Sequence, residues 1–181
     1  YHAQAGDRLQ FTGPNGGYRP DAAADAHLFA GDESALPAIA ASLEQVPAGV
    51  PAFAVLVVDD ADGELTLTSP GDLQLSWLHR VDVEPGDPDQ LLRGVQAVEL
   101  PAGRTQVFVH GEAYEVRSIR KYLVGERGIP KADTSISPYW RRGKNDEAWR
   151  QIKRDWIAAS DDELEAALAG SDGTRPTRPA G

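Results

Sequence analysis

The stretch at residues 26–46, AHLFAGDESALPAIAASLEQV, constrains the fold more than any other part of the chain. A short apolar run from His27 to Ala30 reaches Gly31. Leu36, Ile39, Ala40 and Leu43 then recur at helical spacing, with Asp32 or Ser34 placed to cap the helix. Pro37 falls in the first turn, where amide donors are spare. The unit reads as strand, tight glycine turn, helix. In an open α/β sheet such a turn lies at the carboxyl edge, where ligands bind. A plain βα corner with no ligand has the same pattern.

The rest of the chain repeats the alternation. Residues 53–58 (FAVLVV) form a continuous apolar run, as expected of a strand buried on both faces, and end in Asp59-Asp60. A connection over 61–72 follows, with a little extended structure expected at 64–68. Residues 73–78 (LQLSWL) alternate and read as a third strand, ending in His79-Arg80. A helix is expected at 87–98, with Leu91, Leu92, Val95 and Val98 inward. Residues 105–109 (TQVFV) read as a fourth strand, and His110-Gly111-Glu112-Ala113 as a second strand–glycine–helix corner. A helix over about 112–127 turns Val116, Ile119 and Leu123 to the core. Residues 134–140 (TSISPYW) read as a fifth strand or an extended arm. Residues 146–168 read as a helix with Trp149, Ile152, Trp156 and Ile157 on one stripe, interrupted or restarted at Asp161-Asp162-Glu163. The order predicts an α/β fold: a parallel five-stranded sheet of nucleotide-binding type, flanked by helices on both faces.

The two ends read differently. Residues 7–12 (DRLQFT) suit a single strand, followed by turn chemistry at 13–17. One strand cannot fold alone, so its neighbours are expected upstream of Tyr1. The chain has no methionine and opens on a tyrosine, which suggests a piece of a longer protein. Residues 170–181 read as a flexible Gly/Pro/Thr tail.

Charge and composition narrow the function. With no cysteine, thiol nucleophiles and cysteine metal sites are excluded, and the cytoplasm is the default compartment. No apolar run approaches the ~20 residues of a membrane helix. A net charge of −10 argues against a general nucleic-acid binder. Residues 112–155 nevertheless carry eleven basic against seven acidic side chains, leaving +4 there and −14 over the remainder. Those bases suit either a solvated helical surface or a local anion site. No catalytic triad is apparent, and His2, His27, His79 and His110 lack metal-ligand spacing. His110, at a strand end, reads as a packed residue rather than a base. What remains is the pair of glycine corners. Glycine permits close backbone approach, and helix N-termini favour pyrophosphate. The GxGxxG fingerprint is absent, and Asp32 and Glu33 are expected to crowd a phosphate at the first corner.

Four motifs occur in order: Gly31-Asp32-Glu33-Ser34-Ala35-Leu36-Pro37-Ala38-Ile39; Trp77-Leu78-His79-Arg80; Gly111-Glu112-Ala113 with Val116-Arg117; and Tyr139-Trp140-Arg141-Arg142-Gly143. Together they resemble the siderophore-interacting proteins, flavin-dependent ferric-siderophore reductases of the ferredoxin-reductase-like superfamily. The resemblance covers residue 7 to about Trp156. It implies that residues 1–20 are the end of an FAD-binding β-barrel, with Gly13-Pro14 at its close. Residues 21–143 would then form the NAD(P)H-binding α/β domain, 144–169 a C-terminal helix and 170–181 a tail. The family's Arg-x-Tyr-Thr flavin motif is missing, so the chain alone is not expected to hold FAD or to be active. The implied cofactors are FAD, bound mainly by the missing part, and NADH or NADPH. The implied partners are a ferric siderophore and, as donor, reduced nicotinamide or an electron-transfer protein. Cofactor contacts are expected from Gly31, Asp32, Glu33, Ser34, Ala35, Gly111, Glu112, Ala113, Tyr139 and Trp140. Arg141, Arg142 and Lys144 are candidates for holding an anionic ferric chelate, or for pairing with Asp146 and Glu147. Asp59-Asp60 suit a ribose hydroxyl, and Arg80 is the local candidate for a 2′-phosphate, which favours NADH over NADPH. The competing reading is a non-catalytic siderophore- or partner-binding module with a vestigial nicotinamide site.

Overall fold

In the computed structural model, residues 17–172 are described, together with Gln4, Gly6 and Arg8. The strand expected at 7–12, most of the turn after it, and 173–181 of the tail lie outside the described residues.

Five strands form one sheet: β1 (Ala26–Asp32), β2 (Pro51–Val58), β3 (Asp72–His79), β4 (Thr105–Glu112) and β5 (Thr134–Trp140). All neighbours run parallel in the order β3-β2-β1-β4-β5. The helices are α1 (Leu36–Leu43), α2 (Gln90–Gln96), α3 (Ala113–Arg120) and α4 (Asp146–Asp172). The chain therefore winds outward from β1 to β3 and returns past β1 to β4. The order reverses between β1 and β4, and the crevice beyond their carboxyl ends is where such sheets bind ligands.

Strand chemistry matches position. Every residue of the central β1 is buried, and β2 is buried from Ala52 onward. The edge strand β3 alternates between exposed and half-buried positions. On one face Leu36, Ile39 and Leu43 of α1 pack on Phe29, Ala54 and Leu56. On the other, Leu91 and Val95 of α2 and Val116 and Ile119 of α3 pack on Leu28, Val55 and Val109.

Several expectations change in detail. Both β1 and β4 run one residue past their glycines, so Gly31 and Gly111 lie inside strands rather than in turns. Helix α2 is shorter than the pattern suggests, because the Asp87 carboxylate accepts from the Asp89 amide and holds the residues around Pro88 in a turn. The segment 64–68 stays irregular after a single 3₁₀ turn at Ala61–Gly63. After α3 the helix widens to π geometry at Lys121–Glu126, where Leu123 and Val124 are both buried.

Helix α4 is continuous through Asp161-Asp162-Glu163. Those acids do not break it because two of them meet bases of α3: Arg120 pairs with Asp161 and Arg117 with Glu163. Lys131 pairs with Glu165 nearby. The stripe is unequal. Trp149 is 2% exposed and its indole N–H donates to the Tyr139 carbonyl at 3.0 Å, whereas Ile152, Trp156 and Ile157 are half-buried. Trp149 is thus the anchor that fixes α4 to the end of β5.

Candidate functional site

The two glycine corners meet at the switch point, where Gly31 pairs in register with His110. A Cβ on Gly31 would lie 2.5 Å from the His110 carbonyl oxygen and 2.7 Å from the Ala35 Cβ. A Cβ on Gly111, which has φ +151°, would lie 2.7 Å from Asp32 Oδ2. Both glycines are required by the chain's own atoms crossing between β1 and β4. Sequence reasoning assigned that space to a ligand; the structure fills it with protein.

Asp32 is the hub of the corner. It is 2% exposed. Its Oδ1 accepts from the Ser34 amide at 2.9 Å and the Ser34 hydroxyl at 2.5 Å. Its Oδ2 accepts from the Glu112 amide at 3.0 Å and the Trp140 indole N–H at 2.7 Å. One carboxylate thus ties together the turn after β1, the end of β4 and the end of β5. Neither Asp32 nor Ser34 caps α1, whose N-cap position is the buried Ala35 and whose N-terminus has no side-chain cap.

The second corner is built the other way. Glu112, also 2% exposed, caps α3: its Oε2 accepts from the Tyr114 amide at 2.7 Å and the Glu115 amide at 3.3 Å. Its Oε1 accepts from the Arg142 amide at 3.0 Å. Ala113 is fully buried behind it. The dipole end of α3 is already matched by an anion, while that of α1 has none from a capping side chain. Of the two corners, the one at α1 lacks a side-chain cap, although the Ser34 and Ala35 amides just before it are taken by the Asp32 carboxylate and carbonyl.

The crowding expected of Asp32 and Glu33 does not occur in the form anticipated. Asp32 is turned inward with all four hydrogen bonds described above. Glu33 is exposed but forked against the guanidinium of Arg80, with Nη2 donating to Oε2 at 2.6 Å and Nη1 closing the pair. Arg80 Nη1 also donates to Asp59 Oδ1 at 2.8 Å.

The aromatic candidates divide. Trp140 is half-buried and committed to Asp32. Tyr139 is 38% exposed, with its ring 4.6 Å from that of His110. His110 is buried between Phe108 and Tyr139, and its Nε2 lies 3.1 Å from the Ser135 hydroxyl. Burial lowers its pKa to about 4, so it is neutral at ordinary pH. The packed reading of His110 fits this geometry.

The basic candidates also separate. Arg141 donates to the Tyr114 hydroxyl at 2.7 Å and lies 5.1 Å over its ring. The Arg142 side chain points elsewhere, donating to the Gly86 carbonyl at 2.6 Å. Lys144 is exposed. Neither arginine pairs with Asp146 or Glu147; Asp146 is taken by Arg150.

One feature of the site escaped sequence reasoning. A cavity of about 600 Å³ opens beyond the ends of β2 and β3, lined by Asp59, Arg80, Val83, Pro85, Glu115 and Arg142 among others. Glu115 is 6% exposed, and its carboxyl makes no hydrogen bond or ion pair among the described residues. Burial first, then the charges of Asp32 and Glu112, raise its pKa to about 7. The signal was its place four residues before Ile119, on the inward stripe of α3. Among the described residues, no His/Asp/Glu group is arranged to hold a metal ion, and no helix is long and apolar enough to cross a membrane.

The family model for siderophore-interacting proteins matches residues 24–143, the whole sheet together with both corners. The chain belongs to the siderophore-interacting protein family. An uncharacterized protein of Mycobacterium tuberculosis is 42% identical over 166 residues, covering 87% of this chain and 59% of that protein. The ferric vibriobactin reductase ViuB of Vibrio cholerae is 36% identical over 155 residues, covering 82% of this chain and 55% of ViuB. The crystal structure of a siderophore utilization protein from T. fusca superposes with a TM-score of 0.61 at 38% identity, covering 71% of this chain and 48% of that one. This siderophore-interacting chain spans less than two thirds of the length of each of these relatives.

Proposed function

We propose that this chain is the nicotinamide-nucleotide side of a flavin-dependent ferric-siderophore reductase, which releases iron by reducing Fe(III) to Fe(II). The observation that carries the reading is the asymmetry of the switch point, where α3 is capped by its own Glu112 and α1 has no side-chain cap. Ser34 and Ala35 lead into α1 and would stand beside a pyrophosphate, with the helix dipole favouring its charge. Asp32 holds that corner rigid through Glu112 and Trp140. The name of ViuB supports the reaction class. A bound flavin supplies the conversion of a hydride into single electrons, which Fe(III) accepts one at a time. Toward such a ring the described residues offer the exposed side of Tyr139, backed by the neutral His110. Fe(II) is softer and less charged than Fe(III), so hard oxygen chelators hold it less tightly. In this reading Arg141 and Lys144 attract an anionic chelate to the same edge, while Arg142 is turned away to the Gly86 carbonyl, residues 1–20 close the flavin barrel, and the compartment is the cytoplasm.

The test is anaerobic mixing of the protein, with its flavin-binding part in place, against NADH or NADPH and then a ferric catecholate. Loss of flavin absorbance followed by trapped Fe(II) is expected. Chelate binding with no flavin reduction by either nucleotide would replace this reading with a binding module or a protein electron donor.

A further inference from the structure

Arg80 is the guanidinium that the end of β3 itself places to meet a phosphate, and the chain has already occupied it. Its two terminal nitrogens fork onto the Glu33 carboxylate, and Nη1 also donates to Asp59. One positive charge is thus shared by two negative ones, so this corner is net anionic. The second base of the cavity, Arg142, is drawn to the Gly86 carbonyl. The remaining polar wall includes Glu84, Asp87, Gln90 and the buried Glu115 carboxyl, and the remaining apolar wall includes Val83 and Pro85. A space of about 600 Å³ with these walls offers hydrogen-bond acceptors and apolar surface, and its acids Asp59, Glu84, Asp87 and Glu115 outnumber its bases Arg80 and Arg142. It suits a nucleoside with free ribose hydroxyls and disfavours a phosphomonoester, because a dianion entering there must displace two carboxylates or lie beside them.

We propose that this cavity receives the nucleoside end of the dinucleotide and that Glu33 and Asp59, by holding Arg80, are the specificity-determining residues that exclude a ribose 2′-phosphate. The inference rests on the nucleotide reading of the site and adds which nucleotide the site takes and why. The sequence suggested Asp59 and Arg80 as separate partners of ribose and phosphate. The structure joins them directly, Arg80 to Asp59, and adds Glu33 from a different strand end to make one device. Asp59, whose side chain is 81% exposed, keeps its other oxygen available to a ribose hydroxyl.

The experiment is equilibrium binding of NADH and NADPH to the full chain, read by nicotinamide fluorescence and repeated at two salt concentrations. The protein is compared with the Glu33→Gln/Asp59→Asn double variant, alone and combined with Arg80→Ala. The unchanged chain is expected to bind NADH about tenfold or more tighter than NADPH. The double variant is expected to gain about tenfold in NADPH affinity, with a salt dependence that steepens for NADPH and not for NADH. Adding Arg80→Ala is expected to remove that gain. An NADPH preference in the unchanged chain overturns the proposal, as does an NADH-to-NADPH ratio unmoved by the double variant. A ratio that moves only because NADH is lost also overturns it. Binding of both nucleotides with an unmoved ratio leaves the nucleotide reading standing, whereas binding of neither removes that reading and this proposal together.

Discussion

The corners after β1 and β4 look alike in sequence, each a glycine, an acid and a helix, yet the two acids serve opposite purposes. Asp32 reaches across the sheet to Glu112 and Trp140 and leaves α1 without a side-chain cap. Glu112 folds back onto its own helix and closes α3. The difference follows from one methylene and one register step. The shorter Asp32 side chain, beside the space left by Gly111, meets the amide of the neighbouring strand. The longer Glu112 side chain reaches the amides two and three residues ahead. A strand–glycine–acid–helix motif therefore does not by itself mark an anion site; where the acid's oxygens point decides it.

The largest expected effect is at the cross-sheet acid. Asp32→Ala orphans the Glu112 amide, the Trp140 indole and the Ser34 donors, and should cost about 3–5 kcal/mol in chemical denaturation. A loss below about 1 kcal/mol would mean that the clasp is not what holds the switch point together.

Glu115 comes next, because it reports its burial together with the charge on both corners. Its folded pKa is raised to about 7, so the folded state holds the proton more tightly than the unfolded chain does. The linked stability is fully present below the ordinary glutamate range and is lost as pH rises through about 7. Glu115→Gln should therefore stabilise the protein by up to about 3 kcal/mol near pH 8 and by almost nothing near pH 4. Equal stability curves for the two proteins across that range would show that neither burial nor the charges of Asp32 and Glu112 raise this group.

Glu112→Ala removes the α3 cap and the acceptor of the Arg142 amide and should cost about 2–3 kcal/mol, less than Asp32→Ala. A cost equal to that of Asp32→Ala would erase the distinction between a cap and a clasp. The smallest effect is expected from Trp140→Phe, which keeps a ring but removes one donor to Asp32, at about 1 kcal/mol. Added to Asp32→Ala, it should cost clearly less than it does alone, since the two share one hydrogen bond. Full additivity would separate them.

Much of this architecture was legible in the residues. The apolar run of β2, the alternation of β3 and the span of β5 identify strands whose burial follows from their places in the sheet. The family was legible in its four motifs, and the matched region contains them. The direction of side chains was not. Asp32 and Glu33 are adjacent, so one turns into the switch point while the other turns out to Arg80, and no periodicity says which. The glycines show the same limit: close approach was foreseeable, but not that the approaching atoms belong to His110, Ala35 and Asp32. The continuity of α4 depended on bases of α3 more than forty residues earlier in the chain, beyond the reach of any local pattern. Glu115 entered only as one of the seven acids of residues 112–155, because its burial depends on how α3 sits against the sheet.

The most direct test of the asymmetry is amide chemical-shift mapping of the isotopically labelled chain titrated with NADH. The account predicts shifts in the amides of residues 33–36, at the uncapped end of α1, while those of residues 113–116 stay in place behind the Glu112 cap. Shifts at residues 113–116 with residues 33–36 unmoved, or none at either corner at saturating nucleotide, would contradict it.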